Sequence, residues 1–181
     1  MSGLRSFANA IRLLRDDLVS SRETVAVQVA SNLLAQVENR IIQKGEDSEG
    51  VKFPGYSTNQ VPKYFFYGKS RNAGADNRVK KSKSPTLSYQ GFRQLNNLQT
   101  QHVDLYFTGE MWRGTGVTVT KSLFTQTQVT IQGRTKPAQD KIEWNSARYG
   151  GSILKPQKDE IEAAQRAYQT DRINRIKRFL K

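Results

Sequence analysis

The chain contains no cysteine. That excludes disulfides, thiolate metal sites and a cysteine nucleophile. Its one histidine is His102, so any histidine-based dyad or metal site would have to use it. His102 lies among Gln99, Thr100, Gln101 and Asp104, with no acidic or His-rich cluster beside it in sequence. A lone histidine in such company is more often a surface or capping residue than a catalyst. Apolar runs are only a few residues long, too short to cross a bilayer. The N-terminus has no apolar block for export. Arg5, Arg12 and Arg15 give it the look of an amphipathic presequence until Asp16-Asp17 interrupts, and we read it as mature protein. Acids are scarce: 16 Asp and Glu stand against 29 Lys and Arg, a formal net charge of +13. The adjacent acids Asp16-Asp17 and Asp159-Glu160 read as ordinary helix-surface carboxylates.

Two chemical motifs come close and fail. Gly109 to Gly114 has the glycine spacing that opens a phosphate-binding loop, but Thr115 and Gly116 stand where Lys and Ser or Thr are needed. Without that lysine no cation meets the phosphates. Asp47-Ser48-Glu49-Gly50 hints at a calcium loop. With Gly50 as the central glycine, the first and twelfth ligand positions fall on Gly45 and Tyr56, and neither supplies a carboxylate. A solvated turn is the better reading. Nothing in the residues requires a cofactor or a metal.

What is present is helical at both ends. At 181 residues the chain suits one core, so residues 1–181 are expected to form a single domain. Leu4, Phe7, Ile11, Leu14 and Leu18 follow a 3, 4, 3, 4 spacing, which is one helical stripe. Ser20 and Glu23 fit a capping box that would start a second helix running to Lys44. Ser20-Ser21 either bends one long helix or separates two. Val27, Ala30, Leu34, Val37 and Ile41 continue the rhythm, and Gly45 is placed as a left-handed cap. Near the other end, Pro156, Asp159 and Glu160 precede Arg172, Arg175, Lys177 and Arg178, the order a helix dipole favours.

Between the helices the period changes. Val117–Thr120 and Gln128–Gln132 alternate apolar and polar, as half-buried strands do. Lys141–Trp144 is a further short strand candidate, with a turn after it. Phe92, Leu95, Leu98 and His102 fit a short helix. The expected fold is therefore α+β: an antiparallel sheet packed against a long N-terminal helix and a C-terminal helix.

Charge is concentrated in one place. Residues 61–100 hold Lys63, Lys69, Arg71, Arg78, Lys80, Lys81, Lys83 and Arg93 against a single acid, Asp76. Such a patch attracts nucleic acid or an acidic protein surface, unless it is simply a solvated loop. Residues 69–84 have almost no apolar side chain to offset ordering entropy, so 61–90 reads as a basic, extended insertion arm. Tyr64, Phe65, Phe66 and Tyr67 adjoin it. They could stack unpaired bases, but four aromatics in a row favour a buried strand.

Two stretches carry a likeness. One runs from Arg40 through Gly45, Asp47 and Gly50 to Phe53, Tyr56 and Ser57: a helix, a Gly-x-Asp turn, then an aromatic followed by Tyr-Ser. The other is Leu105, Thr108, Gly109 and Met111, with Tyr149-Gly150, Pro156 and a closing helix after it. In that order they resemble the virion-morphogenesis proteins of tailed bacteriophages, the head–tail connector, neck and tail-completion family. The chain departs from that pattern in its longer insertion and in Leu154-Lys155-Pro156, where the family often has Arg-Pro-Phe. The resemblance implies a structural, non-catalytic virion protein, made in the host cytoplasm, that forms a homo-oligomeric ring. Its partners would be a portal or adaptor protein, tail proteins and the double-stranded DNA in the channel, with no membrane and no cofactor. Gly45, Asp47, Gly50, Tyr56, Thr108, Gly109 and Met111 would be its structural motif residues. The ring interface would use Leu4, Phe7 and Ile11, or the arm.

Overall fold

A computed structural model describes residues 2–123 and 126–179, with side chains from residue 8 onward. Leu4 and Phe7 of the expected ring interface lie outside the described side chains. Helix α1 spans Ser2–Ser20 and helix α2 spans Arg22–Lys44. They meet at Ser21, which stays right-handed and makes no side-chain cap. The capping box is therefore absent. The hydroxyls of Ser20 and Ser21 instead donate back to the Asp17 carbonyl, at 3.2 and 2.7 Å. Helical backbone bonds continue from Ser21 to Asp17 and from Val25 to Ser21, both 2.9 Å, so one helical path runs through the junction.

The expected hairpin is present. Strand β3 (Thr115–Ser122) pairs antiparallel with β4 (Thr127–Gly133), placing Val117 opposite Ile131. It packs on α2 and on helix α6, Lys136–Tyr149. Helix α7, Lys158–Phe179, lies along α2 and α1. The fold is α+β, as the change of period predicted. No helix of the described residues is long and apolar enough to cross a membrane.

The core joins segments distant in sequence: Val37 and Ile41 from α2, Phe53, Val103, Met111, Trp112, Ile142, Ile153 and Leu154. Val37 and Ile41 are fully buried, which contributes about 1.5–3 kcal/mol each.

Three local expectations are corrected. Lys141–Trp144 is not a strand but the middle of α6. Thr135 caps that helix by accepting from Ala138 N, and Ala138 and Ile142, four apart, point to the core. Four residues are too few to separate a strand period from a helical one. The short helix α4, Tyr89–Leu95, stops before Leu98 because Asn97 turns left-handed, at φ 55°.

The third correction concerns the insertion. Residues 69–84 are not extended: Ala73–Lys81 form helix α3, capped by Asn72 Oδ1 accepting from Ala75 N at 2.9 Å. Ala75 and Val79, also four apart, are fully buried. Two small apolar side chains at helical spacing suffice here because α3 packs against both the 63–66 turn and the helix α4. The neck of the insertion is closed by β1 (Val61–Pro62) pairing antiparallel with β2 (Thr86–Leu87). Lys63–Phe66 form a short 3-10 helix rather than a buried strand.

Candidate functional site

Tyr56, from one motif stretch, and Leu105 to Met111, from the other, meet around a single cleft of about 510 Å³. Its wall is aromatic, with Tyr89, Tyr106, Phe107, Trp144 and Tyr149, and Lys141 and Arg148 add cations. Gly109 reaches its place through a left-handed backbone, φ 74°, and begins the one-turn helix α5, Glu110–Arg113. A Cβ there would sit 2.9 Å from the Tyr106 hydroxyl oxygen, so a side chain is resisted by conformation and by space. Thr108 Oγ1 accepts from Glu110 N at 3.4 Å. Lys141 of α6 pairs with Glu110 and holds the Glu110 carboxyl below its usual range. Met111 is buried beneath the turn.

Under the cleft lies a buried polar cluster. Arg93, 1% exposed, pairs with Asp104 through Nη2, at 3.0 Å to Oδ1 and 2.9 Å to Oδ2. Arg93 also donates to the carbonyls of Tyr106 (2.9 Å) and Gln99 (3.2 Å) and stacks 4.1 Å above the Tyr56 ring. Asp104 further accepts from the Tyr56 hydroxyl at 2.6 Å, from Gln99 Nε2 at 2.7 Å and from Tyr106 N at 2.9 Å. Tyr56 in turn accepts from Asp104 N at 3.0 Å. Burial, then the bond to Asp104, raises the Tyr56 pKa, so the phenol stays neutral. Every strong partner in this cluster is already taken by another. It fixes the floor of the cleft.

Gly45, Asp47 and Gly50 do not line the cleft. Gly45 is left-handed (φ 66°) and closes α2, with its N–H on the Ile41 carbonyl. His102 packs against it and donates Nε2–H to the Ile42 carbonyl at 2.8 Å. The lone histidine thus helps end a helix. Asp47 Oδ1 accepts from Glu49 N (2.8 Å) and Val51 N (2.9 Å), and Gly50 turns left-handed at φ 78°. This carboxylate serves its own turn. Just above, Arg40 of α2 pairs at 2.7 Å with Glu160 of α7, both buried, and donates to the Lys155 and Glu46 carbonyls. This second Arg–carboxylate pair ties the first motif stretch to the closing helix.

The seven basic side chains assigned to the insertion divide. Lys63 Nζ donates to the Lys80 and Ser82 carbonyls at 3.1 and 2.7 Å, ending α3. Arg78 donates to Leu95 O at 2.7 Å, and Lys80 pairs with Asp76 at 2.6 Å. That pairing, with Gly68 N donating to Asp76, lowers the Asp76 pKa. Lys69, Arg71, Lys81 and Lys83 are exposed and have no carboxylate partner among the described residues. In the same insertion Tyr64 and Phe65 are 61% and 51% exposed.

At the far end, no described side chain of α1 is buried, and Ile11 and Leu13 are 44% and 55% exposed. The contact with α7 includes Arg175 bridging to Asp17 at 3.2 Å, with Leu18, Val25 and Tyr168 around a shallow hollow.

Arg93 and Asp104 were not singled out as a site in the sequence. The one legible signal is Asp104 alone within Val103–Phe107, an acid in an apolar stretch that needs a buried partner. Comparison with protein-family models, with curated proteins and with solved structures finds no match for this chain.

Proposed function

We propose that this chain is a structural subunit of a tailed-phage virion. It assembles with its own copies into a closed ring at the neck or tail end, between portal and tail, through which DNA passes. The reading assigns it no catalytic step and no cofactor. Its site of action is the virion, after assembly in the host cytoplasm.

The observation that carries it is the α1 end. A helix with an apolar stripe is marginal in water unless that stripe is covered. Of the described stripe residues Ile11 is 44% exposed and Leu14 and Leu18 are only half-buried, and Leu13 beside the stripe is 55% exposed, so the helix is incompletely covered within the chain. Ile173, 51% exposed on the distal half of α7, extends the same kind of surface. Copies related by a rotation that closes would cover these helices in a head-to-tail interface. The motif stretches lend support to the family reading, since Tyr56 and Ser57 of the first meet Leu105 to Met111 of the second at one cleft, while Arg40 of the first pairs with Glu160 of the closing helix.

Light scattering after size exclusion and negative-stain microscopy test it. Ring particles of one size are expected, alone or with portal and tail proteins added. A chain that stays monomeric beside those proteins overturns the reading. Virions lacking the protein should show heads and tails that fail to join stably, or particles that leak DNA.

A further inference from the structure

We infer that the folded insertion, residues 61–87, binds single-stranded nucleic acid. The rings of Tyr64 and Phe65 form its stacking platform, and Lys69, Arg71, Lys81 and Lys83 supply phosphate contacts. This stands apart from the assembly role and does not depend on it.

The 3-10 helix sorts its aromatics. With three residues per turn, Phe66 points inward, stacking on Phe92 with centroids 4.6 Å apart, and Phe92 stacks on Phe107 at 5.6 Å. Tyr64 and Phe65 are left outside, stacked on each other at 4.7 Å with planes 29° apart. Tyr67 is also exposed, with Lys80 Nζ 5.8 Å from its ring centroid. Leaving three large aromatic side chains 38–61% exposed costs a lone domain hydrophobic stabilisation.

Their exposure does not come from a loose loop. β1 and β2 close the neck, Lys63 pins the 3-10 helix to the end of α3, and Gly68 N donates to Asp76 at 2.7 Å. Arg71 N donates to the buried Asn96 side chain at 2.9 Å, fastening the insertion to α4. The platform is held in place before any ligand arrives, which lowers the ordering cost of binding.

Charge selects the ligand. The one acid in residues 61–100, Asp76, is spent on Lys80 and Gly68, so the four exposed cations of the same insertion, of which Lys81 and Lys83 flank the Lys63 contact at the end of α3, have no carboxylate partner among the described residues. Cations track a phosphate backbone, while exposed rings accept the flat faces of bases. A duplex keeps those faces stacked inside, so the rings favour a single strand. An acidic protein surface would meet the cations and leave the rings uncovered.

Fluorescence anisotropy of the full chain with labelled oligo(dT) tests this across a salt series. Binding is expected, weaker for a duplex of equal length. Tyr64→Ala with Phe65→Ala should weaken single-strand binding about tenfold or more while leaving the salt slope in place. Lys81→Glu with Lys83→Glu should flatten that slope. Thermal unfolding checks that each variant is folded. In the unaltered chain, photocrosslinks from a bromodeoxyuridine strand should map to Tyr64 and Phe65. Equal binding of duplex and single strand with no loss in the Tyr64→Ala, Phe65→Ala variant overturns the inference. So do crosslinks confined elsewhere, or binding to polyglutamate with none to oligo(dT). Ring formation is read separately, and those aromatic substitutions should leave it unchanged.

Discussion

The second half of α2 and the helix before it carry the same apolar rhythm, yet they end in opposite surroundings. Val37 and Ile41 are fully buried under Phe53, Val103, Met111 and Ile142, brought from four distant segments. In α1 the same spacing leads to Ile11, half exposed, and to no buried side chain among residues 8–20. The stripe dictates that a helix has a face to cover. It does not dictate what covers it. In α2 the cover is intramolecular and is locked by buried ion pairs, Arg40 with Glu160 and Arg93 with Asp104. At the α1 end the ties are exposed or half-buried, such as Arg175 with Asp17, and such pairs contribute little.

The largest effects should fall on the locked side. Asp104→Ala leaves the Arg93 guanidinium buried and uncompensated, and should cost about 3–5 kcal/mol in urea unfolding. Arg175→Ala, the matching cut on the open side, should shift stability by at most about 1 kcal/mol. Equal losses would erase the distinction. Next comes Gly45→Val. A Cβ at Gly45 would lie 2.8 Å from His102 and from the Val103 carbonyl, on a backbone at φ 66°. We expect a loss of about 2 kcal/mol or more in thermal unfolding. A neutral result would mean that the α2 end is less tightly built than described.

How much was legible follows the same division. Local rules found Gly45 as a left-handed cap, the β3–β4 hairpin and the two terminal helices, since each depends on near neighbours in sequence. They failed where a few residues had to be judged alone. Residues 69–84 looked too poor in apolar side chains to fold, because the 3-10 turn and α4 that pack against Ala73–Lys81 lie elsewhere in sequence. Lys141–Trp144 alternates like a strand, but Thr135 and Ala138 make it a helix. Tyr64 to Tyr67 read as a buried strand, and a 3-10 turn sends Phe66 in and its neighbours out. Of the site, Tyr56 and Gly109 were legible as motif residues. The Arg93–Asp104 cluster beneath them was not, since no local spacing encodes a partner eleven residues away across a fold.

Tyr56→Phe sharpens the comparison at the next level of effect. It leaves Asp104 with an unmet carboxylate site and an unmet N–H, a loss of about 1–1.5 kcal/mol near neutral pH. The pH dependence has a definite sign. The folded pKa of Tyr56 is raised above its unfolded value. Its stabilisation is therefore present below the ordinary tyrosine pKa, about 10, and is lost as pH rises beyond it. Alkaline unfolding of the unaltered chain should steepen there, and Tyr56→Phe should remove that part of the slope. Identical alkaline profiles would show that the phenol is solvated.

The smallest expected change in stability belongs to Ile11→Asp, and it is the most informative about assembly. Ile11 is 44% exposed, so the subunit loses little apolar burial when it is replaced. Dilute monomer should unfold within about 0.5 kcal/mol of the unaltered chain. Association should behave differently, because a carboxylate would then be buried in a helix–helix interface without a partner. Light scattering should show the oligomer lost at concentrations where the unaltered chain forms it, while Trp144→Ala, on α6 in the wall of the cleft, leaves it intact. If Ile11→Asp instead destabilises the monomer by a core-sized amount, about 2 kcal/mol or more, α1 is covered within its own chain. The contrast between the two helices then collapses, and with it the reason for placing the ring interface there.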